Sequence, residues 1–132
     1  MERETGSSLP EYFPSAPEMV FPLYHVFADI AEWKDGLIVE CESSQPLDVT
    51  ALAVESAGSL HLLVANLTGV SQRVVIGPFA AGQVSARCLD TGTAQQAMFE
   101  PESFRQNWRQ VEIQNRELIL AMAPYATVRI DV

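Results

Sequence analysis

The clearest pattern in the chain is a helical one, and it follows directly after a proline-rich start. Apolar residues recur at intervals of three and four positions: Leu23, Val26, Phe27, Ile30 and Ala31. This spacing places them on one face of an α-helix. Pro22 suits the first helical position and Gly36 can supply the left-handed residue that ends a helix, so we predict a leading helix over residues 22–34. The opposite, polar side of that helix carries His25, Asp29 and Glu32.

Beyond Gly36 the apolar period changes from that of a helix to that of strands. Runs rich in β-branched and apolar residues occupy 37–42, 47–55, 60–67, 73–76, 84–89, 111–114, 117–122 and 125–132. Turn residues separate them, notably Ala57-Gly58 and Asn115-Arg116. Residues 101–108 interrupt the series with the pattern of a short inserted helix. We predict a mostly β fold, an antiparallel β-sandwich of about 7–8 strands with one N-terminal amphipathic helix.

The last strand shows the alternation most cleanly. Its apolar side predicts four inward residues, Ala126, Val128, Ile130 and Val132. Thr127, Arg129 and Asp131 alternate with them and are predicted to point outward.

Prolines divide the chain into a tail and a domain. Pro10, Pro14 and Pro17 fall within the first 21 residues, which favours extended backbone over a packed element. We therefore interpret residues 1–21 as a proline-rich acidic tail and residues 22–132 as a single β-sandwich domain. The full 132 residues are far fewer than the roughly 250 of a (β/α)₈ barrel.

Charge is distributed unevenly and argues against several classes of partner. The net charge is −9, and residues 1–60 hold eleven acids against Arg3 and Lys34. Residues 61–132 are balanced, so no basic patch for nucleic acid or an anionic membrane is expected. No apolar run reaches the roughly 20 residues of a membrane span, and no secretory h-region is seen. We expect a cytoplasmic protein in which Cys41 and Cys88 are reduced and buried.

The titratable residues do not form a recognisable catalytic pattern. His25 and Asp29 are four residues apart on the predicted helix, which suits a solvated ion pair. Glu40 and Glu42 share one face of a predicted strand, which suits a solvent-facing sheet surface. No metal-ligand or nucleophile motif is present, so we predict no catalytic residue, no metal and no cofactor.

Aromatic side chains on a sandwich can bind sugar rings. Trp33, Phe79 and Trp108 are the candidates for carbohydrate contact. They are dispersed along the sequence, so no binding platform can be inferred, and core or rim packing is the favoured explanation. Carbohydrate is therefore kept as an alternative ligand.

Several segments resemble a known family when they are taken in order. PLYHVFADIAEW, residues 22–33, looks like the final helix of a (β/α)₈ barrel, and LHLLVANLTGVSQRVVI, residues 60–76, resembles a strand–turn–strand signature of sandwich domains appended to such barrels. LILAMAPYATVRIDV, residues 118–132, is similar to the way many of those proteins end. The nearest family is that of the D-apionate lactonases and related glycoside-hydrolase-like proteins.

The resemblance implies a role without catalysis by this chain. In such proteins the acid, base and nucleophile reside on barrel strands, which are missing here, so no catalytic residue carries over. It implies a non-catalytic accessory domain with a packing or assembly role. A carbohydrate-binding module and part of a split sugar-acid lactonase or glycoside hydrolase are the alternatives.

Without a barrel to pack on, the apolar face of the predicted helix must be buried against another surface. The candidate interface consists of Leu23, Val26, Phe27 and Ile30. We expect either a homodimer or a complex with a barrel-type catalytic partner.

Overall fold

The computed structural model describes residues 19–132, and within them the chain forms three helices and eight strands. In chain order these are α1 (Leu23–Glu32), β1 (Leu37–Val39), β2 (Val49–Ser56), β3 (Ser59–Asn66), β4 (Gln72–Ile76), β5 (Gln83–Leu89), α2 (Ala94–Phe99), α3 (Pro101–Arg105), β6 (Arg109–Glu112), β7 (Leu118–Met122) and β8 (Thr127–Asp131). The predicted mostly β fold with a leading helix is confirmed. The predicted inserted helix is a pair of short helices, α2 and α3.

The strands form two antiparallel sheets. The larger has six strands in the order β1-β2-β3-β8-β5-β6, and the smaller pairs β4 with β7. The β2–β3 hairpin turns at Ala57 and Gly58, whose φ angles of 52° and 79° are those of a tight hairpin turn. The predicted turn between these two strands is therefore confirmed.

The hydrophobic core lies between the two sheets. Its buried members include Leu62, Val64, Val84, Ala86, Leu118, Leu120, Met122, Ala126, Val128 and Ile130. Three of these residues come from the end of the chain at alternate positions, as the sequence pattern predicts. The prediction is wrong for Val132, which is exposed because it lies beyond the end of β8.

The three helices cover the other face of the six-stranded sheet. A second, smaller apolar cluster lies there, made of Trp33, Val54 and Leu63. The His25 side chain of α1 bonds the Ala97 carbonyl of α2, so the helices also contact one another. The domain thus has three layers: helices, a six-stranded sheet and a two-stranded sheet.

The Asn115-Arg116 turn is closed by one antiparallel bridge between Gln114 and Glu117, and the strands on either side of it then enter different sheets. Both residues have positive φ, 53° and 64°, as the predicted two-residue turn requires. However, β6 pairs with β5 and β7 pairs with β4. The predicted two-residue turn is therefore present, but its flanking strands do not pair beyond this one bridge, because alternation fixes which face a residue occupies but not which strand lies beside it.

Packing also begins earlier in the chain than the prolines indicate. Met19 and Val20 are buried, and the Val20 amide donates to the Met98 carbonyl at 3.2 Å. These residues belong to the packed domain, whereas the predicted tail reached residue 21. The rest of that tail, residues 1–18, lies outside the described residues.

Three local predictions between α1 and β2 require correction. Gly36 does not adopt positive φ; it lies so close to β2 that an added Cβ would be 2.5 Å from Val54 Cγ1. Strand β1 ends at Val39, so Glu40 and Glu42 lie in an exposed loop. Cys41 between them is exposed as well.

Candidate functional site

Helix α1 lies on the sheet with its polar side inward. His25 and Asp29 are only 2% and 3% exposed, although the sequence places them on the polar face. The apolar residues Leu23, Phe27 and Ile30 are 47%, 54% and 41% exposed. We call these three residues the outer apolar face of α1. The orientation is opposite to that of an ordinary surface helix, which buries its apolar stripe.

A single carboxylate oxygen anchors the inward side of the helix. Asp29 Oδ1 accepts hydrogen bonds from Arg87 Nη2 at 2.6 Å, Arg105 Nη2 at 2.8 Å and Arg129 Nη1 at 2.6 Å. Arg87 and Arg129 stand directly opposite each other on β5 and β8. Because like charges on neighbouring strands repel, the carboxylate between them offsets a repulsion that the sheet alone would leave.

Two further acids complete what we call the arginine cluster. Glu32 accepts from Arg105 at 2.6 Å and from Arg129 at 2.7 Å, one bond to each carboxylate oxygen. Asp131 accepts from Arg129 Nε at 3.0 Å and Nη2 at 3.1 Å. The cluster thus contains three arginines and three carboxylates, and its formal charges cancel.

The pKa directions follow from burial and from these bonds. Burial opposes ionisation of Glu32 and of Asp131, but hydrogen bonds and charge attraction from the arginines, joined at Asp131 by His61, together outweigh it and lower the pKa of both groups. Burial lowers the pKa of Arg87. For Arg129 burial acts in the same direction, but the bonds to Asp131, Glu32 and Asp29 outweigh it and raise the pKa.

Aromatic rings cover the guanidinium groups. The Trp108 ring lies 4.6 Å from the Arg87 guanidinium and 5.2 Å from that of Arg129. Trp33 lies 4.8 Å from Arg129 on another side and stacks on His61 at 5.1 Å. Such cation–π contacts stabilise a guanidinium that has lost part of its water.

His25 is held as a neutral ring between the helices. Its Nε2 donates to the Ala97 carbonyl at 2.7 Å, and Arg105 Nη1 approaches Nδ1 at 3.4 Å. Burial is the main cause that lowers the pKa of His25, and the neighbouring Arg105 and Arg87 act in the same direction. The predicted solvated pair of His25 and Asp29 is wrong, because both residues are buried and each bonds other partners.

The candidate aromatics do not form a sugar-binding platform. Trp33 and Phe79 are each 5% exposed, the first beneath α1 and the second in the core between the sheets. Trp108 is half-buried over the arginines. The structure thus separates Phe79 from the other two, and the rings of Trp33 and Trp108 are engaged with the arginine cluster.

The candidate interface residues lie on both sides of the helix. Val26 is half-buried against the small apolar cluster, whereas Leu23, Phe27 and Ile30 point away from the sheet. Sequence reasoning missed the arginine cluster itself. The alternation does place Arg87 and Arg129 away from the core, but nothing in it shows that helices cover this face.

Other chemical features of the described residues are few. Between residues 19 and 132, no group of three or more His, Cys, Asp or Glu side chains could hold a metal ion. Over the same range, no helix is both long enough and apolar enough to cross a bilayer. Cys88 donates to Asp90 at 3.2 Å, and burial with this contact raises the pKa of its thiol to about 12.

Two packed antiparallel sheets with the core between them, and a helix layer against the larger sheet, make this chain a β-sandwich domain. The chain belongs to the family described as "D-apionate lactonase, C-terminal immunoglobulin-like domain", whose model matches residues 46–130. The family resemblance inferred from the sequence is thereby confirmed. Comparison with curated proteins gives no match.

Solved structures of xylanases share the fold. An endoxylanase of glycoside hydrolase family GH30 from Clostridium papyrosolvens has a TM-score of 0.64 at 9% identity, over 85% of this chain and 28% of its own. The catalytic domain of GH30 xylanase C from Talaromyces cellulolyticus has a TM-score of 0.55 at 17% identity, over 74% of this chain and 20% of its own. This chain therefore spans less than a third of either enzyme, and at such identities the likeness concerns the fold alone.

Proposed function

We propose that this chain is a non-catalytic accessory domain that packs against a (β/α)₈-barrel catalytic domain through the outer apolar face of α1. The observation that carries the proposal is the orientation of that helix. Its polar side is fixed to the sheet by the arginine cluster, so Leu23, Phe27 and Ile30 point outward. Exposed apolar patches on folded domains mark sites of interaction.

The energetics favour a covered face. Full burial of a large apolar side chain contributes about 1.5–3 kcal/mol, and each of these three residues still has about half of its surface to bury. Turning the helix over would bury these residues within the domain itself. It would also separate Asp29 and Glu32 from three arginines. The loss of a partner from a buried charge cluster costs more free energy than the burial of these apolar side chains would contribute.

The comparisons support a barrel-bearing partner. The family is named for a C-terminal domain of D-apionate lactonases, and both xylanases extend well beyond the part that this chain matches. The same contact would serve a split lactonase or glycoside hydrolase in which this chain supplies the C-terminal part. Carbohydrate binding has weaker support, because Trp33 and Phe79 are buried.

The proposal is tested by binding in solution. The full chain is mixed with the barrel domain of a D-apionate lactonase from which its own C-terminal domain has been deleted, and complex formation is followed by light scattering. We expect a complex, and Phe27→Glu should weaken it by about tenfold or more. Phe99→Glu is the matched control, because Phe99 is 52% exposed on α2, close to the 54% of Phe27 on α1.

Denaturation curves of both variants establish that each domain is folded. Failure of the wild-type chain to bind, or equal binding by the Phe27 variant, would contradict the proposal. A homodimer that Phe27→Glu dissociates would assign the outer apolar face to a second copy of the chain instead.

A further inference from the structure

Strand β1 forms an open edge of the six-stranded sheet. Among the described residues it pairs with β2 alone, through Leu37↔Glu55, Ile38↔Val54 and Val39↔Ala53. The other side of β1 therefore offers unpaired backbone groups to an added strand. This edge is separate from the outer apolar face of α1.

The side chains of β1 are apolar and lie open on both faces of the sheet. Leu37 and Ile38 are 74% and 78% exposed, although they belong to a regular strand. Since directly paired residues share a face, Ile38 lies on the helix side with Val54, and Leu37 lies on the opposite side. Protected edges are usually very short or carry a lysine, a proline or a bulge; β1 has three residues, and no lysine or proline occurs within Leu37–Val39.

Exposed acids surround the strand. Asp35 precedes it, and Glu40 and Glu42 follow it, whereas Lys34 is the only basic residue within residues 34–42. Two copies paired through this edge would bring together two regions of net negative charge, which repel. Residues 1–18, with four acids and one arginine, are disfavoured for the same reason.

We propose that the edge of β1 binds an extended segment of another protein, in which alternating apolar residues are bracketed by basic ones. The partner's backbone bonds the free edge of β1, and its apolar side chains cover Leu37 and Ile38 on the two faces. The basic flanks pair with Asp35, Glu40 and Glu42. Recognition of this kind takes its affinity from the backbone and its specificity from side chains and charge.

Peptides of defined charge test the inference on the full chain. The probe is a fluorescein-labelled peptide with a Val-Thr-Val-Thr-Val centre and a pair of lysines at each end, and its binding is measured by fluorescence polarisation. A second peptide carries glutamates in place of the lysines. We expect the basic peptide to bind at least about tenfold more tightly, and added salt to weaken it.

Matched variants identify the surface. Ile38→Lys should weaken the basic peptide by about tenfold or more, because it places a cation on the edge. Leu47→Lys should leave binding within about twofold, since Leu47 is 88% exposed in the neighbouring loop outside the strand. Amide exchange at residues 37–39 should slow when the basic peptide is bound.

Three results would overturn the inference: no saturable binding of the basic peptide, equal affinity for the two peptides, or Ile38→Lys binding as the wild-type chain does. Dimerisation of the chain that Ile38→Lys abolishes would overturn it too, because the occupant of the edge would then be a second copy. None of these results bears on the α1 contact with a barrel, which Phe27→Glu tests separately.

Discussion

At the residue scale, Asp29 decides how the helix layer is attached. Its one oxygen satisfies arginines from β5, α3 and β8, which are 58, 76 and 100 residues further along the chain. A buried ion cluster is not by itself a source of large net stability, because its members lose hydration on burial. Its effect here is specific: it selects the one orientation of α1 in which carboxylates meet guanidinium groups.

We expect Asp29→Asn to destabilise the domain by about 3–5 kcal/mol, because it removes a charge that buried arginines depend on. Urea unfolding measures the change. Asp35→Asn is the control, since Asp35 is exposed at the end of the same helical region, and it should change stability by less than about 0.5 kcal/mol. Equal midpoints for the two variants would mean that the cluster does not hold the helix.

At the scale of elements, hydrophobic periodicity predicts well which segments form helices and strands. It predicts poorly how those elements pack against one another. The helix and most strands are found where the pattern predicts them, and Ala126, Val128 and Ile130 face the core. The orientation of α1 could not be predicted, because it depends on arginines that lie 58 to 100 residues further along the chain and bond Asp29. The pairing partners of the two strands that flank the Asn115-Arg116 turn were missed, because this pairing depends on contacts distant in sequence.

The connection between α1 and β1 depends on close approach at Gly36. A methyl group there would lie 2.5 Å from Val54 Cγ1, 2.9 Å from the Glu55 carbonyl oxygen and 3.0 Å from that of Trp33. Two of these three atoms are backbone and cannot rotate away.

We therefore expect Gly36→Ala to lower the free energy of unfolding by about 1–3 kcal/mol, the usual cost of forcing extra volume into a packed site. Gly82→Ala is the matched control, because an added Cβ at Gly82 meets no atom within 4 Å. It should be neutral or slightly stabilising, since it reduces the freedom of the unfolded chain. Thermal unfolding of the two variants compares them directly, and a neutral Gly36→Ala would show that the helix can move away from β2.

At the scale of the whole molecule, the charge of −9 and the internal charge cluster act on different parts of the structure. The acidic excess lies in the first 60 residues, much of it on exposed positions near β1. The arginine cluster instead joins that acidic part to the neutral remainder, because its arginines come from beyond residue 61. Stability should therefore respond to pH through His25 and the carboxylates of the arginine cluster rather than through net charge alone.

The directions of the pKa shifts predict that stability falls in two stages as the pH is lowered. The pKa of His25 is lowered in the folded domain, so below about pH 6.5 the unfolded chain binds a proton that the folded domain resists. Stability therefore falls as the pH drops through this range. The pKa values of Glu32 and Asp131 are also lowered, so their contribution is complete above their unfolded values near pH 4 and is lost as the pH falls through the folded ones.

Urea unfolding between pH 8 and pH 3 should show both stages, and a different substitution should alter each. His25→Gln keeps a donor for the Ala97 carbonyl without a group that titrates, so its stability should stay level where the wild type declines by up to about 1.4 kcal/mol per pH unit. Glu32→Gln should reduce the acid stage and leave the upper one unchanged. An identical upper decline in wild type and His25→Gln would contradict this assignment, because the proton responsible would then belong to another group.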